Sequence, residues 1–176
     1  MGRGAEGRIK PASPSIGRFL FIYLTALLTF QIFYYQAVVP SAAFAAYLDL
    51  ITQAAARMLR AVGEDVSANA SLMSGEFSMS VRPGCDGLQV MAILAFGILV
   101  YPSSMRRKLW GLAIGIPALL FLNVVRLASL HWAGSYWPNW VFQSMHIHVW
   151  PALLIFFVLG FWAVWALRSD RVGSKS

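Results

Sequence analysis

Phe19 to Val39 is a run of 21 residues without a charge, and no other feature limits the possible folds so strongly. An α-helix needs about 20 consecutive apolar residues to cross the hydrocarbon core of a bilayer. Three more apolar stretches follow, over about 85–102, 109–130 and 147–167, the first of them near the short limit. Composition points the same way. Hydrophobic residues make up 59% of the chain, charged residues 12%, and mean hydropathy is +0.64, whereas soluble domains carry about 25% charged residues. The expected fold is an all-α integral membrane protein with about four transmembrane helices. One embedded domain spans 19–167, between a basic tail at 1–18 and a second tail at 168–176. A cleaved signal peptide is the competing reading of the first run, because small residues follow at Ser41 to Ala43. The usual apolar region of such a peptide is only roughly 7–15 residues, which favours a retained anchor.

Charge orients the spans. Arg3, Arg8, Lys10 and Arg18 precede the first, Arg106, Arg107 and Lys108 lie in the 103–108 loop, and Arg168, Arg171 and Lys175 follow the last. These ten of the 14 basic residues fall on one side of a four-span arrangement, and the positive-inside rule makes that side cytoplasmic. The net charge of +7 is thus an orientation signal and calls for no nucleic acid. The segment 40–84 is external. Within it Phe44, Tyr47, Leu48, Ile51, Ala55, Met58, Leu59 and Val62 recur at helical spacing, which predicts an amphipathic helix on the membrane face or over the bundle. The period then changes to two. Val66, Ala68, Ala70 and Leu72 alternate with polar residues, as do Phe77, Met79 and Val81 after Ser74-Gly75, so a small two-stranded hairpin is expected.

Three unusual residues reach one depth. Cys85, the only cysteine, stands where the second apolar run begins, which excludes an internal disulfide and every multi-cysteine zinc pattern. A lone cysteine is often inert packing. Gly84 and Gly87 allow close approach of backbone beside the sulfur, and Arg82 offers nearby positive potential. Arg126 lies inside the third run, three residues after Asn123 on the same helical face. An intramembrane arginine is costly and usually faces the bundle interior, although a long side chain near a span end also snorkels to the interface. His131 closes the third run, and His146 and His148 open the fourth, among Trp132, Tyr136, Trp137, Trp140 and Trp150 of an interfacial belt. Cys85, Arg126 and His146 or His148 therefore share the outer boundary. A thiol nucleophile, an imidazole acid/base and a cation form an acyl-transfer set.

At these residues the chain resembles the exosortase/archaeosortase family of membrane cysteine transpeptidases. The resemblance rests on Cys85-Asp86-Gly87, on Asn123-Val124-Val125-Arg126, and on a histidine in "MHIHVW", and runs from about Val81 to the end of the fourth span. It is closest to the short exosortase H-like type, whose His-x-x-Val-Trp element selects His146, followed by Val149-Trp150. Many members carry Ser after the Cys, where Asp86 stands here; a nearby carboxylate opposes a second negative charge. The chain is also shorter than the eight-span members.

The resemblance implies a sortase-like cysteine protease/transpeptidase in the bacterial cytoplasmic (inner) membrane, with both termini inside and the site near the external face. Its substrates would be secreted proteins ending in a recognition motif, a transmembrane helix and a basic tail. Cys85 would form a thioester, Arg126 would stabilise the oxyanion, and His146 would protonate the leaving amine. Asn123, Gly87, His148, Asp86 and Arg82 would support them. Transfer goes to an unknown acceptor, a surface glycan or lipid, or to water. No metal or organic cofactor is required, and membrane lipids are the other partners. The hairpin would take the extended motif by strand addition. Two other readings stay open: a non-enzymatic membrane subunit whose Arg126 pairs with a partner's acid or a lipid headgroup, and a haem or metal carrier using His131, His146 and His148.

Reporters fused after Lys10, within 103–108 and after Lys175 should all be cytoplasmic, and one after Gly63 external. An external 103–108 loop would place Cys85 and Arg126 on the wrong side for a secreted substrate.

Overall fold

The computed structural model describes residues 16–173, with side chains as far as Arg168; the tail up to residue 15, with Arg3, Arg8 and Lys10, the side chain of Arg171, and Lys175 lie outside the described residues. The first helix, α1 (Ile16–Phe33), continues through a π-helical turn at Tyr34–Val38. The chain then reverses into α2 (Ala42–Ala61), where the Ser41 hydroxyl accepts from the Phe44 N–H at 3.1 Å as an N-cap. Three short strands follow, β1 (Ser67–Asn69), β2 (Leu72–Ser74) and β3 (Met79–Ser80). The rest is α3 (Leu88–Val100), α4 (Met105–Tyr136), α5 (Asn139–Ser144), a second π-helical turn at Met145–Val149, and α6 (Trp150–Gly173). The protein is mostly helical and built for a membrane, as the apolar runs predict.

Three stretches among the described residues are long and apolar enough to cross a bilayer: Ile16–Val38, Met105–Tyr136 and Asn139–Arg168. The expected span at 85–102 is shorter. Its helix, α3, has 13 residues, about 20 Å at 1.5 Å per residue, and is wedged between α1, α4 and α6. Prolines set its far end and that of α4. Tyr101 and Trp137, each followed by a proline, have ψ of 134° and 157°, as the clash with a following proline ring demands. The expected span at 109–130 is the middle of a 32-residue helix, about 48 Å long. Arg126 therefore sits well within it.

Small residues let the helices close on each other. A Cβ at Gly115 would lie 2.6 Å from a Leu94 methyl, and one at Gly111 would lie 2.6 Å from the Trp165 indole nitrogen. Met91, Leu94, Ile98, Leu119, Leu154 and Val158 form the buried core between α3, α4 and α6. Phe21, Leu24 and Leu28 of α1 remain exposed, facing lipid.

The predicted amphipathic helix is α2. Phe44, Leu48, Ile51, Ala55 and Leu59 are buried, while Met58 and Val62 are exposed. The helix packs on α4 and the sheet, so it covers the bundle, and Asp49, Gln53 and Arg57 form a hydrogen-bonded ladder at four-residue spacing on it. The sheet departs from expectation in detail. It has three antiparallel strands in the order β1-β2-β3, with Asn69 opposite Leu72 and Met73 opposite Met79. An added turn at Ala70-Ser71, with Ala70 at φ +51°, ends the alternation. A one-residue register change moves every side chain to the other face: Leu72 is exposed and Met73 fully buried.

Candidate active site

The loop that carries the sulfur is built from "RPGCDG". Arg82 to Cys85 is a tight turn closed by the Cys85 N–H to the Arg82 carbonyl at 2.9 Å. Pro83 and Gly84, the latter at φ +91°, hold the two central positions that a type II turn prefers for these residues. Gly87 follows at φ +84° and directly precedes α3. A Cβ there would lie 2.9 Å from Asn123 Cγ, so both conformation and space require glycine. Cys85 therefore stands three residues before the helix, in an ordered turn, and is partly exposed.

Asp86 holds this turn in place. It is fully buried, and one carboxylate oxygen accepts from the Tyr34 hydroxyl at 2.5 Å and the Gly84 N–H at 2.8 Å. The other accepts from the Leu88 N–H at 2.8 Å, which satisfies one orphan donor at the start of α3. The Asp86 main-chain carbonyl accepts from the Tyr47 hydroxyl at 2.7 Å and from Asn123 Nδ2 at 2.9 Å. Burial first, and the Asp86 charge second, push the Tyr47 hydroxyl well above its ordinary pKa, so it remains a proton donor. Residues from α1, α2 and α4 thus converge on the residue after the cysteine.

Around the sulfur the geometry is compact. His146 Nε2 and Arg126 Nη2 each lie 3.9 Å from Cys85 Sγ. Arg126 is only 6% exposed and its Nε has no hydrogen-bond partner among the described residues. Asp86, whose two carboxylate oxygens take the three donors above, does not neutralise it. The guanidinium has no carboxylate partner among the described residues, an arrangement that suits an incoming anion. Trp150 sets the position of α6: its indole N–H donates to Ser129 Oγ at 3.0 Å, and Ser129 donates to the Arg126 carbonyl at 2.9 Å.

Of the residues singled out from sequence, Cys85, Arg126 and His146 meet. Asn123, Asp86 and Gly87 build the loop behind them. His148 is exposed and on the opposite side of the helical turn from His146, as two-residue spacing on a helix requires. Arg82 contributes a main-chain carbonyl; its side chain is exposed, and no contact with the sulfur is seen among the described residues. His131 is buried against Phe77. No cluster of three metal-ligating side chains occurs among the described residues.

Tyr34, Tyr47, Phe77 and Phe142 are the site's unforeseen members. Tyr34 and His146 each lie in a π-helical turn, an irregularity common at functional sites.

The helices that carry Cys85, Arg126 and His146 are those of a transmembrane protein of sortase-like type. The family model described as transmembrane exosortase matches residues 15–166, and the chain belongs to that family. No curated protein and no solved structure matches it.

Tyr34→Phe deprives the Asp86 carboxylate of a hydrogen bond. Such bonds to a charged partner contribute about 1.5–3 kcal/mol, so the variant should lose thermal stability in detergent while inserting normally. An unchanged midpoint would remove Asp86 from the centre of the loop's support.

Proposed function

We propose that the protein is a cysteine transpeptidase that cleaves C-terminal sorting signals. The observation that carries this reading is that His146 Nε2 and Arg126 Nη2 both lie 3.9 Å from the Cys85 sulfur. The substrate is a secreted protein with a short motif, a transmembrane helix and a basic tail. The reaction takes place near the external face of the bacterial cytoplasmic membrane, with both termini of the enzyme inside.

His146 Nε2 takes the Cys85 proton, and the thiolate attacks the scissile carbonyl. The carbonyl π electrons move to oxygen, where the uncompensated Arg126 charge faces them. The intermediate collapses by breaking the C–N bond, and His146 returns its proton to the departing amine, which leaves with the C-terminal helix. The remaining acyl group is a thioester on Cys85. An acceptor nucleophile, a surface glycan, a lipid or water, attacks it, gives its proton to His146 and expels the thiolate. The 3.9 Å separations suit a resting site, since catalytic contacts tighten when substrate binds. The sheet runs from β3 directly into the Cys85 turn, which supports its use as an edge for the extended motif.

Cys85→Ala should leave the protein folded and inserted while unprocessed substrate accumulates. His146→Ala should abolish processing and His148→Ala only weaken it. Loss of an oxyanion donor costs roughly 10²–10³ in rate, and Arg126→Lys, which keeps the charge but not the planar fork of donors, should also be severely impaired. The readout is substrate cleavage per enzyme in the membrane. Normal processing by Cys85→Ala ends the transpeptidase reading, and an inactive His148→Ala beside an active His146→Ala reverses the histidines.

A further inference from the structure

A histidine that moves protons needs its ring held, commonly by a hydrogen bond from its second nitrogen to a carboxylate or carbonyl. His146 lacks one: its Nδ1 is buried and has no hydrogen-bond partner among the described residues. What lies against the ring is Phe142, one helical turn earlier, with centroids 5.9 Å apart and planes 4° from parallel. Phe142 is held in turn by Phe77, from the β2–β3 connection, at 5.2 Å and 55°.

Phe77 is itself seated in a slot on α4. Its ring occupies the space a Cβ on Gly134 would need, the nearest approach being 2.5 Å. It also meets the buried His131 ring edge-on at 6.0 Å and 72°. Helix α5 has six residues and buries none of them completely; besides the turn that follows it, it packs on α4. A line of rings thus runs from the external sheet to the imidazole.

We infer that Phe142, backed by Phe77, is a positioning residue that fixes the His146 ring toward Cys85 by stacking, in the place where a hydrogen-bonding third group is otherwise found. The inference rests on the reading of His146 as the partner of Cys85. A stacked ring sets the plane of the imidazole without taking up either of its nitrogens. A flat, unreactive surface is enough because Trp150 already fixes the start of α6.

The chain's only cysteine makes the test direct, since iodoacetamide alkylation reports Cys85 alone. Full-length protein in detergent micelles is alkylated between about pH 5.5 and pH 9, the range where histidine and thiol titrate. The wild-type profile should carry an inflection that His146→Ala removes. Phe142→Leu should reproduce the His146→Ala profile, with alkylation near neutral pH slowed roughly fivefold or more, in line with the loss of an aromatic pair and of alignment. Phe142→Tyr, which keeps the ring, should stay within about twofold of wild type, and Phe77→Leu should fall between. If Phe142→Leu does not accumulate, Phe142→Met, flexible and apolar without a ring, replaces it. A ringless variant with the wild-type profile, beside an altered His146→Ala, overturns the inference and leaves the Cys85–His146 reading intact. A His146→Ala profile identical to wild type overturns both.

Discussion

The buried carboxylate of Asp86 is the interaction on which the site depends. A carboxylate moved into an apolar interior is expensive unless its oxygens find donors, and here they find the Tyr34 hydroxyl and the N–H groups of Gly84 and Leu88. With Tyr47 and Asn123 on the same residue's carbonyl, one position gathers α1, α2, α3 and α4. Irregular backbone at membrane depth is tolerated only where protein satisfies it. Asp86 satisfies the Gly84 and Leu88 N–H groups around the cysteine turn, and so the sulfur sits at a defined point on the loop.

Arg126, by contrast, has no carboxylate partner among the described residues. A buried guanidinium ordinarily pairs with a carboxylate. Asp86 instead spends its oxygens on neutral donors, and the Arg126 charge remains available beside the sulfur. One buried charged side chain builds the loop, and the other lies beside the sulfur.

Three of the four expected spans and the meeting of Cys85, Arg126 and His146 were legible because both follow from local patterns. Apolar runs mark membrane crossing, and lone polar residues within them stand out. Helical geometry says only that residues two apart cannot face one centre; His146 was singled out by the resemblance, through the His-x-x-Val-Trp spacing, and it is His146 that lies near the sulfur. The tyrosines were not legible. Tyr34 and Asp86 are 52 residues apart, and Tyr47 and Asp86 39 apart, so no local period links them, and a tyrosine near a span end reads as an interfacial residue. The third strand was hidden for a different reason. Its turn uses Ala70 at positive φ, a conformation alanine seldom adopts, where asparagine or glycine would have announced it. The late start of α3 was written in Pro83-Gly84 and Gly87, residues that end or forbid helical backbone.

The central claim is that Cys85 carries an acyl group. Enzyme co-expressed with a secreted protein bearing a C-terminal motif, helix and basic tail should yield a covalent adduct. Mass spectrometry should place it on Cys85, with the mass of the substrate lacking its C-terminal helix, and neutral hydroxylamine should release it as a thioester. Continued processing with Cys85 unmodified at every stage would contradict the account.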